Sequence, residues 1–254
     1  MTANADNLIP GAEPTTWDGN STGVLVLHGF TGNPNSMRHL AEAIAAQGYT
    51  VELPLLPGHG TVVEDMIKTG WKDWSSHAES VYQSLAQRCE KVVVVGLSMG
   101  GALTAWLGSR HHGIAGLVFI NALVSEPEGM RAIVEELIDS GEDRIAGIGS
   151  DIADPDVVES AYSDTPLAPL ATLFDAADEL ANGLKSIASP VLIFTSPQDH
   201  VVAPVNSDLL AESVTGSVER ILCERSYHVA TMDYDKDLIV QATIDFIAKV
   251  TADI

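Results

Sequence analysis

Lys91-Val92-Val93-Val94-Val95-Gly96-Leu97-Ser98-Met99-Gly100-Gly101 is the stretch whose reading decides the fold. Consecutive valines suit a pleated surface enclosed on both faces, so Val92 to Val95 read as a buried strand. The residues beyond Ser98 turn helical, which places Ser98 on a tight turn from strand to helix. Glycines two positions before it and two after leave room where the chain doubles back. A Gly-x-Ser-x-Gly match by itself is common by chance, but directly after a buried strand and before a helix it is specific. Such a turn holds a hydroxyl at the end of a sheet in a strained backbone conformation. The positive end of the following helix then points at it.

The same alternation runs outward in both directions. Val24-Leu25-Val26-Leu27 reads as another buried strand, and Met37, Leu40, Ala41, Ile44 and Ala45 follow at helical spacing until Gly48 stops them. Further strands are expected over 49–53, 114–120, 191–195 and 218–223, and a helix over 74–89. A last helix carries Ile239, Ala242, Phe246 and Val250 on one side. Buried strands separated by helices imply an α/β fold, with a mostly parallel central sheet flanked by helices. Ligands of such sheets bind beyond the carboxyl ends of the strands.

The 254 residues are expected to form one α/β domain, with a small cap inserted at about 125–170. In that stretch no strong strand is expected. Met130, Ile133, Val134, Leu137 and Ile138 mark an amphipathic helix, and the Gly- and Asp-rich run Gly147-Ile148-Gly149-Ser150-Asp151 follows it. A net charge of −22 repels phosphate backbones and anionic headgroups, which argues against nucleic-acid partners and polybasic membrane anchoring. No apolar run approaches the ~20 residues that span a bilayer, so no stable membrane insertion is expected. The N-terminus shows no basic segment followed by an apolar one, and a cytoplasmic location is the expectation. Cys89 and Cys223 read as buried thiols. No cluster of histidine, cysteine and carboxylate has ligand spacing, so neither metal nor cofactor is expected.

A serine hydroxyl becomes a nucleophile only when a base removes its proton. Eight histidines compete for that role. His228 lies in a short loop after the last expected strand, at the same sheet end as Ser98. His200 belongs to the loop before it, and the others come too early in the chain or sit in helices. An imidazole in this role needs a carboxylate to fix its tautomer, and Asp199 lies in the loop after strand 191–195. Asp233 and Asp235 follow the histidine and read as helix-start residues. The order Ser98, Asp199, His228 completes a candidate triad. Two N–H donors are needed for the oxyanion. Met99 follows the nucleophile, and Phe30 lies in His28-Gly29-Phe30-Thr31-Gly32, where glycines permit close approach.

Taken together, His28-Gly29-Phe30-Thr31-Gly32, Leu56-Pro57-Gly58-His59-Gly60, Gly96-Leu97-Ser98-Met99-Gly100, Asp199-His200-Val201-Val202 and Ser226-Tyr227-His228 resemble the bacterial monoacylglycerol lipases and the similar small thermophilic carboxylesterases. The similarity runs from about Gly23 to the C-terminal helix. It implies an α/β-hydrolase fold with an eight-stranded sheet and a small cap between the sixth strand and the following helix. It also implies the triad and oxyanion donors assigned above. The segment Asp156-Val157-Val158-Glu159-Ser160-Ala161-Tyr162 resembles the family's cap, where a glutamate at the Glu159 position meets glycerol hydroxyls.

The expected partner is therefore a small ester substrate with an acyl chain. Monoacylglycerols lead, and general short- to medium-chain carboxylic esters are the alternative. The apolar face of the cap helix, with Ile133 and Leu137, can lend itself to an acyl slot, with Ile148 near its mouth, or can simply pack the cap. Carbon–carbon bond or amide hydrolysis could use the same triad, because a fold does not fix a reaction. Haloalkane dehalogenation is disfavoured by a serine at the turn. A non-catalytic receptor is disfavoured by the complete triad.

Overall fold

The computed structural model describes residues 7–252. The main sheet contains β1 (Thr15–Trp17), β2 (Thr22–Leu27), β3 (Thr50–Leu53), β4 (Lys91–Leu97) and β5 (Gly116–Ile120). After an insertion, β8 (Val191–Thr195) and β9 (Val218–Leu222) complete it. Their order across the sheet is β1-β3-β2-β4-β5-β8-β9. All neighbours run parallel except β1, which pairs antiparallel with β3. The fold is thus a mostly parallel sheet flanked by helices with a small cap, as expected. Its strand count corrects the expectation: seven strands, not eight, form this sheet among the described residues. The cap accordingly follows the fifth strand of this sheet rather than the sixth.

Alternation along each strand sorts the core into two layers. Leu25, Leu27, Val94, Leu117, Phe119 and Ile193 face α3 (Trp71–Arg88), α4 (Met99–Arg110) and α6 (Leu167–Gly183). Val24, Val26, Val93, Val95, Val118 and Phe194 face the other way, onto α1 (Asn35–Ala45) and α8 (Lys236–Thr251). Fully burying side chains of this size contributes about 1.5–3 kcal/mol each. Burial on both faces is why these strands lack a polar–apolar alternation in sequence. The apolar positions of α1 land on this second layer as their spacing predicts, with Met37, Leu40, Ala41 and Ile44 all buried. Helix α3 starts at Trp71, three residues before the expected point, and Asp73 accepts the Gly70 N–H at 3.0 Å to close that end.

The insertion comprises α5 (Met130–Asp139), a two-stranded antiparallel ribbon of β6 (Arg144–Ala146) and β7 (Asp164–Pro166), and the start of α6. The ribbon is three residues long on each side, too short to show in the sequence pattern. Two short helices, α2 (Val63–Met66) and α7 (Val205–Ser213), lie in other connections. Among the described residues, no helix is long and apolar enough to cross a membrane.

Candidate active site

Five loops meet at the carboxyl ends of the parallel strands, and each brings one part of the site. Ser98 joins β4 to α4 with φ +55° and ψ −117°, a region that costs an L-residue roughly 1–3 kcal/mol. The flanking glycines are required by close backbone approach. A Cβ on Gly96 would lie 2.0 Å from the Gly100 carbonyl oxygen, and one on Gly100 would lie 2.2 Å from that of Leu27. The Ser98 backbone is fixed by donation from its N–H to Ile120 and by acceptance from the Leu123 N–H.

His228 stands in the loop after β9, and its Nδ1 lies 2.8 Å from Asp199 Oδ2. Both side chains are buried, that of Asp199 to 1% exposure. The other carboxylate oxygen of Asp199 accepts the N–H groups of Val201 and Val202, each at 2.8 Å, so the acid is aimed before any substrate arrives. This contact puts the proton on Nδ1 and leaves Nε2 as the basic nitrogen. Asn121, just past β5 at φ +44°, ties the loops together. Its amide donates to Ser196 Oγ at 2.9 Å and to the His228 carbonyl at 2.8 Å, and its oxygen accepts the Ser196 N–H at 2.8 Å.

On the opposite side lies the loop after β2. Thr31 has φ +59°, and its hydroxyl donates to the Phe30 carbonyl at 2.6 Å. The Phe30 ring meets Trp74 edge to face at 5.8 Å. Among the described residues, neither the Phe30 nor the Met99 backbone N–H has an acceptor within the protein. Uncommitted N–H groups at this end of the sheet are of the kind that could receive a developing oxyanion.

Glu159 also reaches this edge. A Cβ on Gly32 would lie 2.9 Å from Glu159 Oε1, so the carboxyl occupies the space above that glycine. Burial holds this carboxyl above its ordinary range, while the charge of His228 and the Ser36 hydroxyl act the other way. The remaining sequence candidates lie elsewhere in the cap. Leu137 packs with Val134, Leu167 and Phe174 in the cap's own apolar cluster, separate from the one that holds Met99. Ile133 and Ile148 are 51% and 70% exposed.

Asp233 and Asp235 stand at the start of α8 as expected, Asp235 as its N-cap residue, but their carboxylates are used elsewhere. The Asp235 carboxylate makes no cap bond. It accepts instead from the Arg225 N–H at 2.9 Å and the Ser226 hydroxyl at 2.9 Å, bracing the histidine loop. Asp233 accepts from Tyr227, Ala153 and Asp154 N–H groups, linking that loop to the cap. Both carboxylates thus serve loop N–H groups rather than the first turn of α8. Asn121, Ser196, Asp151 and Asp233 were missed as supports of the site; no local pattern marks a side chain whose partners are distant in sequence. Cys89 and Cys223 are free and buried, with the Cys223 thiol pushed up to about 12 by burial. Among the described residues no three histidines, cysteines or carboxylates are grouped to hold a metal.

A nucleophile turn, a buried acid–base pair and two free N–H donors on this sheet are the equipment of a serine hydrolase. Residues 24–242 match the α/β hydrolase family, and the chain belongs to it. It is 45% identical over 245 residues to the thermostable monoacylglycerol lipase of Bacillus sp. (strain H-257), covering 95% of this chain and 96% of that protein. A carboxylesterase of Bacillus subtilis (strain 168) is 28% identical, covering 93% and 96%. A solved structure described with LipS and LipT, two metagenome-derived lipolytic enzymes, superposes with a TM-score of 0.92 at 40% identity, covering 95% of this chain and 99% of that one. The general activity that goes with this kinship is serine-type carboxylic ester hydrolysis.

Proposed function

We propose that the protein hydrolyses monoacylglycerols to fatty acid and glycerol through an acyl-enzyme on Ser98. In this reading His228 Nε2 takes the Ser98 proton as Oγ attacks the ester carbonyl, and Asp199 steadies the imidazolium that forms. The N–H groups of Phe30 and Met99 receive the oxyanion, each worth ~3 kcal/mol in the transition state. The imidazolium then protonates the departing glycerol, and a water activated by the same nitrogen releases the acid.

The observation that carries the glycerol assignment is the carboxyl of Glu159 above Gly32, which lies on the loop that also carries Phe30. A carboxylate there can accept bonds from the free hydroxyls of a leaving glycerol, and such charge-assisted bonds are strong. Kinship with the Bacillus monoacylglycerol lipase supports the same substrate. We assign the acyl end to the cap, where Ile148 and Ile133 are exposed and Leu137 packs against Val134, Leu167 and Phe174.

Glu159→Ala is expected to raise KM for a monoacylglycerol about tenfold or more, since a hydrogen bond to a charged group contributes ~1.5–3 kcal/mol. A p-nitrophenyl ester of equal chain length offers no hydroxyls and should keep its KM. Equal weakening of both substrates would leave Glu159 a structural cap residue and favour a general carboxylesterase.

A further inference from the structure

We propose that Asp151 is a positioning residue for the acid–base pair, holding the two loops that carry Asp199 and His228 at a fixed separation. Asp151 comes from the insertion, outside the sheet that supports the triad. Its side chain is only 9% exposed, and it collects donors from both loops. One carboxylate oxygen accepts the backbone N–H of His228 and that of His200, each at 3.1 Å. The other lies 2.8 Å from His200 Nδ1. The Asp151 carbonyl accepts the Val229 N–H at 3.1 Å, so the histidine is gripped at its own amide and at the next one.

His200 directly follows Asp199 in the chain. One side chain therefore spans the backbone beside the acid and the backbone of the base. Parallel strands fix where each loop leaves the sheet but not how the loop tips approach each other. That distance is set by what bridges them. Asp151 is itself held, because Asp233 accepts the Ala153 and Asp154 N–H groups at 2.7 and 3.1 Å and the Tyr227 N–H at 2.9 Å. The His200 ring adds an edge-to-face contact with Tyr227 at 4.6 Å. The cap thus takes part in the geometry of proton transfer as well as covering the site.

The inference rests on the triad reading above, and its test separates the two. Rates are measured on a soluble p-nitrophenyl ester, alongside the far-downfield proton resonance of the His228–Asp199 hydrogen bond. Asp151→Ala is expected to lower kcat about 10- to 100-fold, the scale of a misplacement near 1 Å, with KM within threefold. The downfield resonance should broaden or shift. Asp151→Asn keeps an oxygen for both backbone N–H groups and should return kcat to within about fivefold of wild type. His200→Ala leaves those two bonds in place and should stay within threefold. If Asp151→Ala does not fold, Asp151→Ser removes the same carboxylate while retaining a polar group, and the same criterion applies. A kcat within threefold of wild type in the carboxylate-free variant, with the resonance unmoved, would overturn the inference. So would equal losses in the asparagine and alanine variants. Activity persisting in Ser98→Ala would instead sink the triad reading itself.

Discussion

Replacing His59 by asparagine should remove part of the protein's sensitivity to mild acid. His59 is buried, and its ring packs against His28 at 5.0 Å and Trp74 at 5.6 Å between centroids. Its Nδ1 donates to the Pro57 carbonyl at 3.0 Å, whereas Nε2 has no partner. Protonation would bury a positive N–H with no acceptor, and burial accordingly lowers its pKa from 6.5 to about 4. The unfolded chain then binds the proton more readily than the folded one. Stability from this residue is fully present above pH 6.5 and is lost as pH falls toward the folded pKa of about 4. The whole window is worth about 3 kcal/mol, of which about 2 kcal/mol falls between pH 7 and pH 5. His28 is displaced in the same direction, by burial first and by His59 second. Glu159 is raised by burial, acts oppositely and remains in the variant, so it cancels from the comparison. The part of the His28 displacement that comes from His59 is lost with that residue and adds in the same direction. Urea unfolding of the two proteins at pH 7 and pH 5 measures the difference. Wild type should lose about 2 kcal/mol more than His59→Asn on acidification. An equal loss in both would refute the assignment of a neutral, partnerless imidazole.

Ser98→Ala and His228→Ala should each lower kcat by roughly 10⁴ or more, because nucleophile and base act as one unit, and Asp199→Asn should cost somewhat less. Retention of a tenth of wild-type turnover in Ser98→Ala would contradict that mechanism. Gly100→Ala should lower unfolding free energy by about 4 kcal/mol or more, since its Cβ would meet backbone at 2.2 Å. Gly113→Ala, with nothing within 4 Å, should change it by no more than about 0.5 kcal/mol. Thermal unfolding of the pair, checked by circular dichroism, tests the packing of the nucleophile turn.

The sequence by itself determined the class of fold and the parts of the site that lie next to a strand end. Runs such as Val92–Val95 and Val24–Leu27 are buried on both faces, and only a helix-covered parallel sheet provides that environment. Gly96 and Gly100 declare the turn because their lack of a side chain is a local necessity. Asp199 and His228 could be placed by chain order, since each parallel strand delivers its loop to the same end of the sheet. The strand count, the short ribbon of the cap and the supports of the histidine loop were decided only in three dimensions. Three-residue strands carry too few side chains to show a period. Asp233 and Asp235 sit where a helix begins, and only folding reveals that the free amides of other loops lie closer to their carboxylates. Asp151 is one acid among many in a polar run, distinguished from its neighbours solely by the N–H groups that the folded chain turns toward it.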